Sequence, residues 1–150
     1  MPQSLCKVIL HIIFSTKNRE PWLDSDVRPR MHAYVATICR DLAAEFVHVG
    51  GMADYVHVVI TLPRTLSQGE LIEQIKKTSS KWIKALDARY RGFSWQRGYS
   101  AFSVSPSQLE AVVEYVDPQQ EHHRTGTFRE EYRELLRRHG VGCEERYLWD

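Results

Sequence analysis

No stretch of about 18 consecutive apolar residues occurs in the chain, which excludes a membrane-spanning helix. The start lacks the basic region and small-residue cleavage site of an export signal, so the expected location is the cytoplasm. Cysteine is scarce. Cys6, Cys39 and Cys143 are odd in number and far apart, which argues against a disulfide framework and against a Cys-x-x-Cys zinc site and leaves them as small apolar fillers. Net charge is nearly absent too, at +1, and taken over the whole chain this counts against a nucleic-acid partner. There is no internal repeat and no low-complexity segment.

What is present is 150 residues, 43% hydrophobic, enough for one core and one domain over residues 1–150. Its core is expected over 4–105, with a tyrosine-bearing helix and a C-terminal helix over 106–150. The charge is unevenly placed: Gln74 to Tyr99 holds Lys76, Lys77, Lys81, Lys84, Arg89, Arg91 and Arg97 against Asp87 alone, a local +6. This reads either as the footprint that phosphates require or as a solvated helix face. Trp95 and Tyr99 beside these cations could stack on unpaired bases, and Trp95 reads equally as core.

Leu5 to Ser15 alternates as a central strand, with Val8, Leu10, Ile12 and Phe14 on one face and Ile9, His11, Ile13 and Ser15 on the other. Thr16 to Pro21 breaks the pattern. Asp24, Ser25 and Asp26 as caps, Pro29, and Met31, Tyr34, Val35, Ile38, Leu42 and Phe46 at helical spacing predict a helix over Val27 to Glu45, with His32 at its edge. Phe46 to Val49 predicts a short strand, with Gly50-Gly51 as the reversal. Asp54 to Pro63 then alternates strictly, setting Tyr55, His57, Val59 and Thr61 against Val56, Val58, Ile60 and Leu62. A strand histidine is commonly an ordinary structural residue, and the second stretch, Glu114 to Gln119, is what marks His57 out.

Ser67 and Glu70 form a capping box before a second amphipathic helix to about Ala88, and Tyr99 to Val104 reads as a strand. A further capping box, Ser105 with Gln108, opens a helix holding Leu109, Val112, Val113 and Val116. Tyr115 and Gln119 lie one above the other if that helix continues past Pro118. Thr127 and Glu130 cap a last helix with Phe128, Tyr132, Leu135 and Leu136 on one face.

The predicted order strand, helix, strand, strand, helix, strand is α+β: a ferredoxin-like split βαβ (βαββαβ) antiparallel sheet, followed by two added C-terminal helices. The crossover helices cover one face. Tyr55, His57 and His11 fall on the other, which needs a partner, the Tyr115 helix of the same chain or of a second subunit. A strand histidine, a helix amide and a tyrosine one turn before it suit metal-assisted phosphoryl transfer. The ion polarises a phosphate oxygen, and the phenol attacks phosphorus to give a phosphotyrosine that conserves the broken bond's energy.

The sequence resembles the small one-tyrosine HUH (His-hydrophobic-His) single-strand DNA transposases of bacterial insertion sequences. The resemblance runs in order through Thr16-Lys17-Asn18-Arg19, Asp54-Tyr55-Val56-His57, Ser79-Ser80-Lys81-Trp82, Trp95-Gln96-Arg97-Gly98-Tyr99, Tyr115 with Gln119, Glu121-His122-His123 and Tyr147-Leu148-Trp149. It implies that Tyr115 is the nucleophile and that His57 and Gln119 are metal ligands for Mg2+ or Mn2+. It also implies a homodimer in which each tyrosine helix serves the other subunit, and cutting and rejoining of single-stranded DNA next to hairpins.

Two positions depart from the family's pattern. Tyr55 stands where the first histidine is expected, and Pro118 precedes the glutamine. A phenol is a poor ligand at neutral pH, with an ordinary pKa of about 10, so weak metal binding is expected. An altered transposase and a DNA-hairpin-binding protein that has lost cleavage both follow. His11 is either a replacement imidazole from the adjoining strand or a buried structural residue between Ile9 and Ile13.

Overall fold

The apolar alternation after Val8 builds the middle of a four-stranded antiparallel sheet. In the computed structural model, which describes residues 4–117 and 128–142, β1 (Ile9–Ser15) pairs with β3 (Tyr55–Thr61) and with β4 (Ser100–Val104). The edge strand β2 (Val47–Gly51) completes the order β2-β3-β1-β4. This is the split βαβ arrangement expected. Every residue of β1 and β3 is buried, the condition under which a strand can be apolar on both faces. β1 starts at Ile9, not Leu5, and Leu5 and Val8 are left exposed.

Two helices cover one face. α1 (Arg28–Asp41) and α2 (Gln68–Leu86) bury Met31, Val35, Ile38, Leu71, Ile72, Ile75 and Ile83 against Leu10, Ile12, Phe14, Val56, Val58 and Ile60. Each such side chain contributes roughly 1.5–3 kcal/mol by leaving water. α2 is capped as expected, with the Ser67 hydroxyl accepting from the Glu70 amide and the Glu70 carboxylate accepting from the Ser67 amide. α1 stops short of Glu45 because Ala43 takes a left-handed φ of 71°, which no continuing helix permits.

Two other local readings differ from expectation. Gly50 and Gly51 lie inside β2 rather than in the reversal, which falls at Met52 to Asp54. Ser105 makes no cap bond to the backbone, its hydroxyl meeting that of Ser107, and a 3-10 turn over Pro106–Gln108 precedes α3 (Leu109–Val116). α3 ends at Val116 because Asp117 is extended, at ψ 127°, as a residue before proline prefers. The condition that would stack Gln119 on Tyr115, a helix running on, is therefore not met, and Gln119 itself lies outside the described residues.

The second sheet face is covered within the same chain. Val116, with Val112 and Val113, packs on Ile9 and Val59. α4 (Phe128–Arg138) packs Tyr132 and Leu136 on Ile13 and Phe102. No helix among the described residues is long and apolar enough to cross a membrane.

Candidate active site

The alternation of β3 sends Tyr55 and His57 to the α3 side of the sheet, and the register decides what they meet there. His57 is paired across the sheet with Ile13, and His11 with Val59, so the two histidines are diagonal neighbours on one face. Diagonal positions are within reach of long or ring side chains. His11 Nε2 lies 2.8 Å from His57 Nδ1, with ring centroids 5.0 Å apart. Both rings are buried. One nitrogen must donate and the other accept, so this bond requires a lone pair on one ring. Tyr55, also buried, sets its ring edgewise to His57 at 5.4 Å.

Tyr115 is brought over this pair by α3. Its ring centroid lies 6.3 Å from that of His11 and 6.0 Å from that of His57. Its hydroxyl donates to Glu131 Oε2 of α4 at 2.9 Å. A cavity of about 510 Å3 opens beside these groups, lined by His11, Tyr115, Glu131, Glu134 and Arg138 among others. The histidine pair, the phenol and the carboxylate thus converge within one chain.

Two nitrogens each about 2.1 Å from a divalent ion at right angles lie about 3 Å apart, close to the separation of His11 Nε2 and His57 Nδ1. The separation matches that of two adjacent ligands, and ligation by both nitrogens would require loss of the proton they share. Among the described residues no group of three His, Cys, Asp or Glu side chains could hold a metal, so a third protein ligand must come from elsewhere, and Gln119 falls outside them.

The basic residues divide. Lys77, Lys81 and Lys84 are exposed and fall on one stripe of α2, and Arg91 and Arg97 are exposed in the segment that follows. Arg89 is exposed too, 3.8 Å from the carboxylates of Asp24 and Asp26. Lys76 is engaged inside the fold: its ammonium donates to the carbonyls of Gln96 (2.9 Å) and Gly98 (2.5 Å), above the Phe14 ring. Burial pushes its pKa down to about 8. α2 covers the sheet face opposite His57, so the stripe and the phenol lie on opposite sides of the sheet.

The segments 16–19 and 95–97 meet Asp54 at one end of the sheet. Thr16 bridges to Trp95, the Ser15 amide donates to Gln96 Oε1 at 2.6 Å, and Arg19 pairs with Asp54 at 2.7 Å. Lys17 and Arg97 are exposed there. Trp95 itself is core, edge-on to Phe14 and Phe93, with its indole N–H donating to Ser79. His32 is buried rather than at a helix edge, and burial, with Arg28 and His48 adding to it, lowers its pKa to about 4.

Two contributors escaped the sequence reading. Gly50 matters because a Cβ there would stand 1.9 Å from the carbonyl oxygen of Val116, so only glycine admits α3 this close to β2. Glu131 was hidden among Glu130, Glu131 and Glu134. Their one signal was a run of acids flanking the apolar face of α4.

The family model described as "Transposase IS200 like" matches residues 4–119. A Deinococcus radiodurans R1 protein assigned as a transposase is similar in structure at a TM-score of 0.61 and 20% identity, over 78% of this chain and 96% of that one. A REP-associated tyrosine transposase bound to a REP hairpin is similar at a TM-score of 0.58 and 16% identity, over 100% of this chain and 90% of that one. None of the curated proteins matches the sequence.

Proposed function

Since the chain belongs to the IS200-like transposase family, we propose that it binds hairpin-forming single-stranded DNA and cuts and rejoins the strand through a 5′-phosphotyrosine at Tyr115. The observation that carries this reading is the Tyr115 ring 6.0 Å from His57 and 6.3 Å from His11, at the wall of an open cavity. A similar fold solved with a hairpin supports the choice of substrate class. The exposed Lys77, Lys81, Lys84, Arg89, Arg91 and Arg97 supply the cations for its phosphates.

In this reading Mg2+ or Mn2+ is held by His57 and His11, with Gln119 as the candidate third ligand. When bound, the ion polarises a non-bridging phosphate oxygen. His11 takes the place that Tyr55 leaves vacant in the resemblance, arriving from β1 instead of β3. The protein's own groups do the rest: Tyr115 supplies the attacking oxygen, and His11, which lines the same cavity, stands on its sheet side. Two copies are the proposed assembly, although Tyr115 reaches the histidines without exchange of helices. A cytoplasmic location accords with such a substrate.

The test is a covalent protein–DNA adduct. Incubation of the natural protein with Mn2+ and stem-loop oligonucleotides should give an adduct stable to denaturing electrophoresis. Tyr115→Phe should abolish it and leave hairpin binding intact. An adduct persisting in Tyr115→Phe would refute the assignment and point to Tyr55. A second reading, hairpin binding without cleavage, is favoured by one observation: Tyr55 offers a buried phenol where an imidazole is expected. Binding with no adduct from the natural protein would select it.

A further inference from the structure

On the reading that Tyr115 is the nucleophile, we propose that Glu131 is its general base, taking the phenolic proton during cutting and returning it during rejoining. A free phenol ionises near pH 10, so at neutral pH an attacking tyrosine needs a group to receive its proton. Glu131 Oε2 accepts from the Tyr115 hydroxyl at 2.9 Å, within the 2.6–3.2 Å or so that proton transfer requires. The contact is held by packing: Tyr132, the next residue, is buried with Leu136 against Ile13 and Phe102, and its hydroxyl hydrogen-bonds to that of Ser100. Both Tyr115 and Glu131 line the same cavity, so the nucleophile and its proton acceptor border the space a phosphate would enter.

The step balances. The Tyr115 O–H bond breaks and its oxygen bonds to phosphorus, the proton passing to the Glu131 carboxylate. The bond from phosphorus to the 3′ oxygen breaks, and that oxygen takes a proton from solvent water to become a 3′ hydroxyl. Rejoining reverses each transfer: the 3′ hydroxyl attacks phosphorus and loses its proton to solvent hydroxide, the product of the first transfer, while protonated Glu131 returns its proton to the departing Tyr115 oxygen. One carboxylate thus serves as base in one direction and acid in the other. Among the described residues, the ionisable groups beside the pair include His11 on β1, His57 on β3, and Glu130, Glu134 and Arg138 on α4, the last paired with Glu134 at 3.1 Å.

Glu131→Gln separates this role from a structural one, because the amide oxygen still accepts from the hydroxyl but cannot take its proton. Adduct formation is measured on a stem-loop oligonucleotide with randomised single-stranded flanks and Mn2+. At neutral pH Glu131→Gln should slow it by about 10²-fold or more, with hairpin binding and melting temperature unchanged, and the defect should shrink as pH rises and hydroxide substitutes. Glu131→Asp, which keeps a carboxylate, should recover part of the rate. Equal rates and pH profiles for Glu131→Gln and the natural protein, with the Tyr115 adduct intact, would overturn the general base alone. No adduct from the natural protein, or one that survives Tyr115→Phe, would overturn the nucleophile and the base together.

Discussion

Gly50 and Val116 touch where no side chain could stand between them: a Cβ on Gly50 would lie 1.9 Å from the Val116 carbonyl oxygen and 3.0 Å from its Cγ1. The neighbour is backbone at a helix end, which cannot rotate aside. Since Tyr115 immediately precedes Val116, this approach of α3 to β2 also sets the height of the phenol above the histidines.

Gly50→Ala should therefore push α3 off the sheet. Overpacking of this kind costs roughly 1–3 kcal/mol, visible as a lower melting temperature, and adduct formation should fall with it. Gly69→Ala is the control, since a Cβ there meets nothing within 4 Å and lies in the first turn of α2. Alanine's better helix propensity should stabilise by up to about 1 kcal/mol. A Gly50→Ala variant melting with the natural protein would show that α3 does not sit as described.

His32 gives the fold an acid-side weakness. Burial lowers its pKa to about 4 from 6.5, and its Nε2 has no hydrogen-bond partner among the described residues. Between these values the unfolded chain binds a proton that the folded chain refuses, so stability is full above pH 6.5 and falls as pH drops towards 4. The loss is about 3 kcal/mol for a shift of this size. Denaturant melts of the natural protein and of His32→Leu across this range should differ in slope. Equal slopes would remove His32 as the cause.

The lysine stripe and Lys76 should behave differently towards DNA. Replacing Lys77, Lys81 and Lys84 together by alanine should weaken hairpin binding and flatten the dependence of log affinity on log salt by about 2–3. Lys76→Gln should leave that slope unchanged, because the ammonium is already held by the carbonyls of Gln96 and Gly98. A loss of slope in Lys76→Gln equal to that of an exposed lysine would place it among the phosphate contacts after all.

Metal affinity should depend on His11 as well as His57. Calorimetry with Mn2+ should give weak binding by the natural protein, still weaker binding by His11→Ala, and tighter binding by Tyr55→His, which adds an imidazole one turn of the pleat from His57. Unchanged affinity in His11→Ala would return His11 to a purely structural role.

The strands, the two crossover helices and the polar face of β3 were legible because side-chain direction in a strand has a period of two and in a helix of 3.6, and both periods are local properties of the chain. They put His57 and His11 on the same face without saying which residues stand opposite. The meeting of His11 with His57 needed the register of β1 against β3, fixed by how the whole sheet packs under α1 and α2. The engagement of Lys76, which sequence grouped with its exposed neighbours, was decided by where the 96–98 segment returns. Glu131 reached Tyr115 only because α4 folds back onto Ile13 and Phe102. These are contacts between residues far apart in the chain, and no local pattern carries them.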